Sequence, residues 1–127
     1  MPLPPSSRGF TLIELLIVLS IIAVLLTLAV PRYFQSVDYS RETVLAENLR
    51  ITRDSIDKFL ADNGRYPDGL DELVGKRYLR GLPMDPIVGN SSSWKLTPPP
   101  AGYKGQVYDL HSSAPGNTRD GKPFSEL

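Results

Sequence analysis

The sequence predicts an α+β protein: one long N-terminal helix whose first half can span a membrane, carrying a small C-terminal head. Three observations predict it. An uninterrupted apolar run fills residues 10–30, Pro31 is the only proline or glycine between residues 10 and 62, and β-favouring segments bounded by turns appear only near and beyond Trp94. The 127 residues have room for one ordinary domain. Lys plus Arg and Asp plus Glu each total 14, so no overall field gathers nucleic acid or acidic substrates, and no specific nucleic-acid partner is expected. The absence of cysteine excludes disulfides, thiolate metal sites and thiol nucleophiles.

The first element is the run FTLIELLIVLSIIAVLLTLAV, Phe10 to Val30. At about 1.5 Å per residue it extends roughly 31 Å, the thickness of a bilayer's hydrocarbon core. MPLPPSSRG precedes it, with prolines and serines that oppose helix, and Arg8 immediately before the run favours a cytoplasmic N-terminus. A secretory signal peptide is the plain alternative, with Thr27-Leu28-Ala29 as a small-x-small cleavage triplet. The run exceeds the usual apolar length of such a peptide. It also contains Glu14, and a carboxylate in a membrane helix costs about 2.5–3.5 kcal/mol on insertion scales, so it needs a partner. Cleavage between Gly9 and Phe10 supplies one, because the new α-amino group and Glu14 then stand at i, i+4 on one helix face. Between neighbouring helices such a pair fixes axial register, since a slipped neighbour leaves a dry, unpaired charge.

RGFTLIELL resembles the cleavage and assembly signal of type IV pilins and type II secretion pseudopilins. The resemblance implies a prepilin leader over residues 1–9, cleavage after Gly9 by a prepilin peptidase, and N-methylation of Phe10. It also implies that Phe10, Glu14 and Pro31 serve assembly, with residues 10–30 as the transmembrane helix and 31–127 as a periplasmic head that includes the rest of the long helix.

Pro31 removes a backbone donor and is expected to bend or partly unwind the helix. Beyond it Leu45, Leu49, Ile56, Phe59 and Leu60 recur at helical spacing and predict one core-facing stripe. Arg41, Glu42, Glu47, Arg50, Arg53, Asp54, Asp57 and Lys58 occupy the other faces as a solvated surface, with Arg50 and Asp54, and Asp54 and Lys58, at i, i+4. Asn63-Gly64 ends the helix, which is expected over about 10–62.

A turn at Tyr66-Pro67-Asp68-Gly69 leads to a short helix, Leu70 to Val74, packed through Leu70, Leu73 and Val74. Met84-Asp85-Pro86-Ile87-Val88-Gly89-Asn90 resembles a segment of the major (G-type) pseudopilin of type II secretion, with Val88 as an extra residue. Strands are predicted at Trp94 to Thr97 and Gly105 to His111, with Trp94 and Tyr103 in the core or on the sheet face. An irregular, oxygen-rich loop follows. By resemblance to the calcium loop of major pseudopilins, the Leu110 carbonyl, Ser113, Asn117 and Asp120 are the calcium candidates, against a plain turn at Asp120-Gly121. His111, the one histidine, reads as a loop residue, and no phosphate-binding loop, nucleophile elbow or paired-acid motif is present.

These expectations describe a non-enzymatic subunit of a type II secretion pseudopilus, inserted once in the bacterial inner membrane and polymerised into a periplasmic filament that drives protein export. The partners implied are further copies of the chain, minor pseudopilins, the prepilin peptidase, an inner-membrane assembly platform driven by a cytoplasmic ATPase, and the exported protein cargo. A type IV pilus major or minor pilin for adhesion, motility or DNA uptake is the alternative within the family. A membrane-anchored periplasmic binding module that never polymerises is the rival from another class, and it predicts no effect of replacing Glu14.

Overall fold

The computed structural model describes residues 2–5 and 8–127, with elements in the order α1 (Leu12–Asn63), α2 (Leu70–Gly75), β1 (Lys95–Thr97), β2 (Asp109–His111) and a final 3-10 turn, Phe124–Glu126. Two compact units divide the chain, one ending at Val37 and the other spanning Asp38–Leu127, and both draw on α1.

In the first unit residues 8–11 are non-helical and α1 begins at Leu12, two residues later than expected. Every described residue through Ser36 is exposed. The helix is long and apolar enough to cross a membrane. Its hydroxyls are satisfied locally: Ser20 Oγ donates to the Leu16 carbonyl at 2.7 Å and Thr27 Oγ1 to the Val24 carbonyl at 2.6 Å. This back-bonding spares lipid-facing positions an unpaired donor. Pro31 lies inside α1, and helix continues on both sides of it, so the partial unwinding considered for that position is absent. Proline deletes one N–H donor, and the ladder of bonds around it carries the helix through.

In the second unit the predicted stripe is buried. Leu45, Leu49, Ile56 and Phe59 line the core, with Leu60 partly covered. At about 1.5–3 kcal/mol for each fully buried large apolar side chain, this face holds the head on the helix. Thr52 and Ser55 share that buried face; Thr52 Oγ1 donates to the Asn48 carbonyl at 2.7 Å, and Ser55 Oγ lies 2.9 Å from the Ile51 carbonyl and 3.2 Å from that of Tyr78. Gly64 closes the helix at φ 69°, donating to the Leu60 carbonyl at 2.9 Å. From α2, Leu70 and Leu73 join the core and Val74 packs against it. Trp94 is buried as expected, its indole N–H donating to the Pro83 carbonyl at 2.8 Å, whereas Tyr103 is exposed and meets the buried Tyr66 edge-on.

β1 and β2 pair antiparallel with Leu96 opposite Leu110. Both strands are shorter than expected, and the reason lies at Gly105. This residue sits at φ 110° with the Tyr66 carbonyl only 2.2 Å from where a Cβ would stand. The chain there backs onto the Tyr66–Pro67 turn: Tyr66 donates to the Lys104 carbonyl, and Gln106 and Val107 both donate to the Pro67 carbonyl. Those donors are spent on the turn; the first bond to β1 is the Tyr108 N–H to the Thr97 carbonyl, and β2 begins at Asp109.

Candidate functional site

The Gly9–Phe10 bond lies in exposed, non-helical chain, three residues before the helix start at Leu12 when counted from Gly9. Phe10 is 89% exposed, and among the described residues, its chain neighbours apart, no atom lies within 4 Å of where a Gly9 Cβ would stand. The helix start is fixed by a reciprocal pair. The Glu14 N–H donates to Thr11 Oγ1 at 3.2 Å, while the Thr11 N–H donates to Glu14 Oε2 at 3.1 Å. This is a capping box, in which the N-cap hydroxyl and the carboxylate three residues on each satisfy an orphan N–H. Glu14 also sits in the first turn, where the helix dipole favours negative charge. Its carboxylate is therefore engaged by the Thr11 amide. The Gly9–Phe10 bond lies outside the helix.

The calcium candidates stand apart from this signal, within the second unit. The Leu110 carbonyl accepts from Arg53 Nη2 at 3.0 Å, so its lone pairs face a guanidinium. Asn117 forms a main-chain bridge with Pro123 and lines a groove of about 330 Å³ together with Arg41 and Arg119. Asp120 lines another groove, beside Tyr39 and Lys122. Among the described residues no three His, Asp or Glu side chains gather for an ion. The Leu110 carbonyl is thus taken by Arg53, while Asn117 and Asp120 line different grooves.

The perturbed ionisable groups belong to structural pairs. Arg65 Nη1 donates to Glu72 Oε1 at 2.8 Å, and this bond holds the Glu72 carboxyl below its usual range and raises Arg65. Burial pushes the Tyr66 phenol up, and the hydrogen bond from the Tyr78 hydroxyl to Asp62 raises Tyr78.

Residues 4–30 match the prokaryotic N-terminal methylation motif. The chain is 31% identical to the type II secretion system core protein G of Klebsiella michiganensis, over 95% of this chain and 89% of that protein. It belongs to the type II secretion core protein G family. The G protein of Pseudomonas aeruginosa is 34% identical over 82% of this chain and 80% of its own length. The type IV major pilin PilA of Myxococcus xanthus is 35% identical over 54% of this chain but only 31% of that protein. No solved structure matches the chain.

The structure also shows residues that sequence reasoning overlooked. Thr11 is the partner that caps α1, and its signal was in plain view as the T-x-x-E spacing of Thr11 and Glu14. Arg53, assigned to the solvated face, instead reaches Asp109 at 2.7 Å, and Glu42 accepts the Arg119 N–H at 2.9 Å. Asp85, 2% exposed, accepts the N–H groups of Ile87 and Val88 and a short bond from the Ser112 hydroxyl, joining the 84–90 turn to the chain after β2. These long-range pairs have no local pattern. Asp54 pairs with Arg50 at 3.0 Å as the spacing predicts.

Proposed function

We propose that this chain is the structural, non-catalytic subunit of a type II secretion pseudopilus, cut between Gly9 and Phe10 and polymerised through its N-terminal helix into a periplasmic filament that drives protein export. The geometry of residues 9–14 carries this reading: an exposed extended bond, then a helix start fixed by the acidic residue of the apolar run. Family membership supports it over nearly the whole chain. A membrane prepilin peptidase reaches the bond without unwinding helix and methylates Phe10. The freed α-amine of one copy and Glu14 of its neighbour then form the register-setting pair, for which Glu14 exchanges its hold on the Thr11 amide.

In this reading the chain sits once in the bacterial inner membrane with its head in the periplasm. Its partners are other copies of itself, minor pseudopilins, the inner-membrane assembly platform and the exported cargo. A surface pilus subunit is the second reading, favoured by the PilA match over about half of the chain.

Intact mass and N-terminal sequencing of the membrane-extracted protein test processing, and a chain beginning at methylated Phe10 is expected. Glu14→Ala should insert in the membrane at wild-type levels and lower the yield of sheared filaments by more than about tenfold, since the buried pair is lost. Filaments at wild-type yield would overturn the register role of Glu14, and no filaments from the wild-type chain itself would favour a membrane-anchored module that never polymerises.

A further inference from the structure

The oxygen-rich segment after β2 is tied back onto α1 by one guanidinium. Arg53 donates from Nε to Asp109 Oδ1 at 2.7 Å, and from Nη2 to the main-chain oxygens of Leu110 at 3.0 Å and Leu127 at 2.7 Å. Asp109 and Leu110 come from β2 at the start of the loop, and Leu127 comes from beyond the Phe124–Glu126 turn. One side chain therefore joins both ends of the loop and anchors them to the helix.

His111 reinforces the junction. Its Nδ1 lies 2.8 Å from the Leu127 oxygen and its Nε2 lies 3.4 Å from Asp109 Oδ2. The Leu127 oxygen only accepts, so Nδ1 carries the proton. Farther along the loop, Glu42 on α1 accepts the Arg119 N–H, and the Arg119 guanidinium stands 5.3 Å from the centroid of the Tyr39 ring.

We propose that Arg53 is the structural cation of this loop: a guanidinium built into α1 gathers the Asp109 carboxylate and the main-chain oxygens of Leu110 and Leu127, the first calcium candidate among them, and the folded head needs no calcium. Calcium takes about 6–8 oxygen ligands. Here the Leu110 carbonyl and the Asp109 carboxylate, which frame the start of the loop, already converge on a fixed positive charge that would repel a second cation. The guanidinium offers five N–H donors in a rigid fork. Arg53 and Asp109 are 35% and 27% exposed, so their charge-assisted bonds are partly shielded from water. Closing a loop in this way limits its freedom as a metal clip does, but no chelator can remove it. The proposal is independent of the filament reading.

The test uses the full chain in detergent, followed by thermal unfolding of the head and by limited proteolysis within residues 111–126. Exchanging calcium for a chelator should shift the wild-type melting temperature by less than about 1 °C, because a ligand that does not bind the native state cannot stabilise it. Arg53→Gln should lower it by about 5–10 °C and speed cleavage in the loop about tenfold. Arg53→Lys, with the charge but not the fork, should fall between the two. Should Arg53→Gln fail to fold, Asp109→Asn takes the charge out of one of the three bonds and should still speed cleavage in the same segment. A wild-type melting temperature that drops by several degrees on chelation would overturn the proposal. So would loop cleavage at the wild-type rate in Arg53→Gln or, where that variant does not fold, in Asp109→Asn.

Discussion

The two halves of α1 are made of the same regular backbone and differ in what their side chains meet. From Leu12 to Ser36 every residue is exposed, while from Leu45 to Phe59 one stripe is sealed under the head. A helix that is apolar on all faces has no preferred inner side and awaits lipid or other helices, whereas a one-sided stripe commits its half to a single partner surface. The difference teaches that helix propensity alone assigns neither half its role. Surroundings do.

Truncating core residues gives the largest expected contrast. Phe59→Ala should cost the head about 3–5 kcal/mol, read as a large drop in its melting temperature, while Leu19→Ala should leave that melting temperature within about 1 °C, since a distant, independent site adds nothing to the head's stability. Equal effects would mean that the halves are not energetically separate. Next comes the loop that leads into β2. Gly105→Ala forces a side chain onto a left-handed backbone, at about 1–3 kcal/mol, and also pushes a Cβ against the Tyr66 carbonyl. Denaturant unfolding should show the head destabilised by at least that much, and a neutral result would mean that the Tyr66–Pro67 turn yields easily.

The smallest effect concerns the charged surface of the head. The Glu72 carboxyl is held below its ordinary value of 4.5 by Arg65, so the pair's contribution is present above that pH and is lost as pH falls through the lowered folded value. Melting curves between about pH 6 and 3 should therefore fall less steeply in Glu72→Gln than in the wild type. Identical slopes would mean that the pair is already screened by water.

What could be read from the sequence follows from how far its signals reach. Gly9, Phe10 and Glu14 form a signal local in the chain, and the periodic Leu45, Leu49, Ile56 and Phe59 and the stop at Asn63-Gly64 need only the helix period and a glycine. The hydrogen-bond partners of Arg53 lie 56 residues and more away in sequence, and Asp85 finds Ser112 across 27. No pattern of spacing encodes such meetings, so Arg53 read as one more solvated charge. The strands were legible but their lengths were not, for a related reason. Val107 has the right side chain for a strand, but its N–H is claimed by Pro67, a fact that resides in the fold of the turn.

The buried Trp94 gives the molecule an optical consequence. It is the only tryptophan in the chain, 9% exposed, with its indole N–H held by the Pro83 carbonyl. Residues 10–37 contain none, so tryptophan emission from the intact chain originates wholly in the head. A red shift on heating or on adding denaturant therefore reports the opening of this one unit, even when the apolar half of α1 is surrounded by detergent, lipid or other copies of itself.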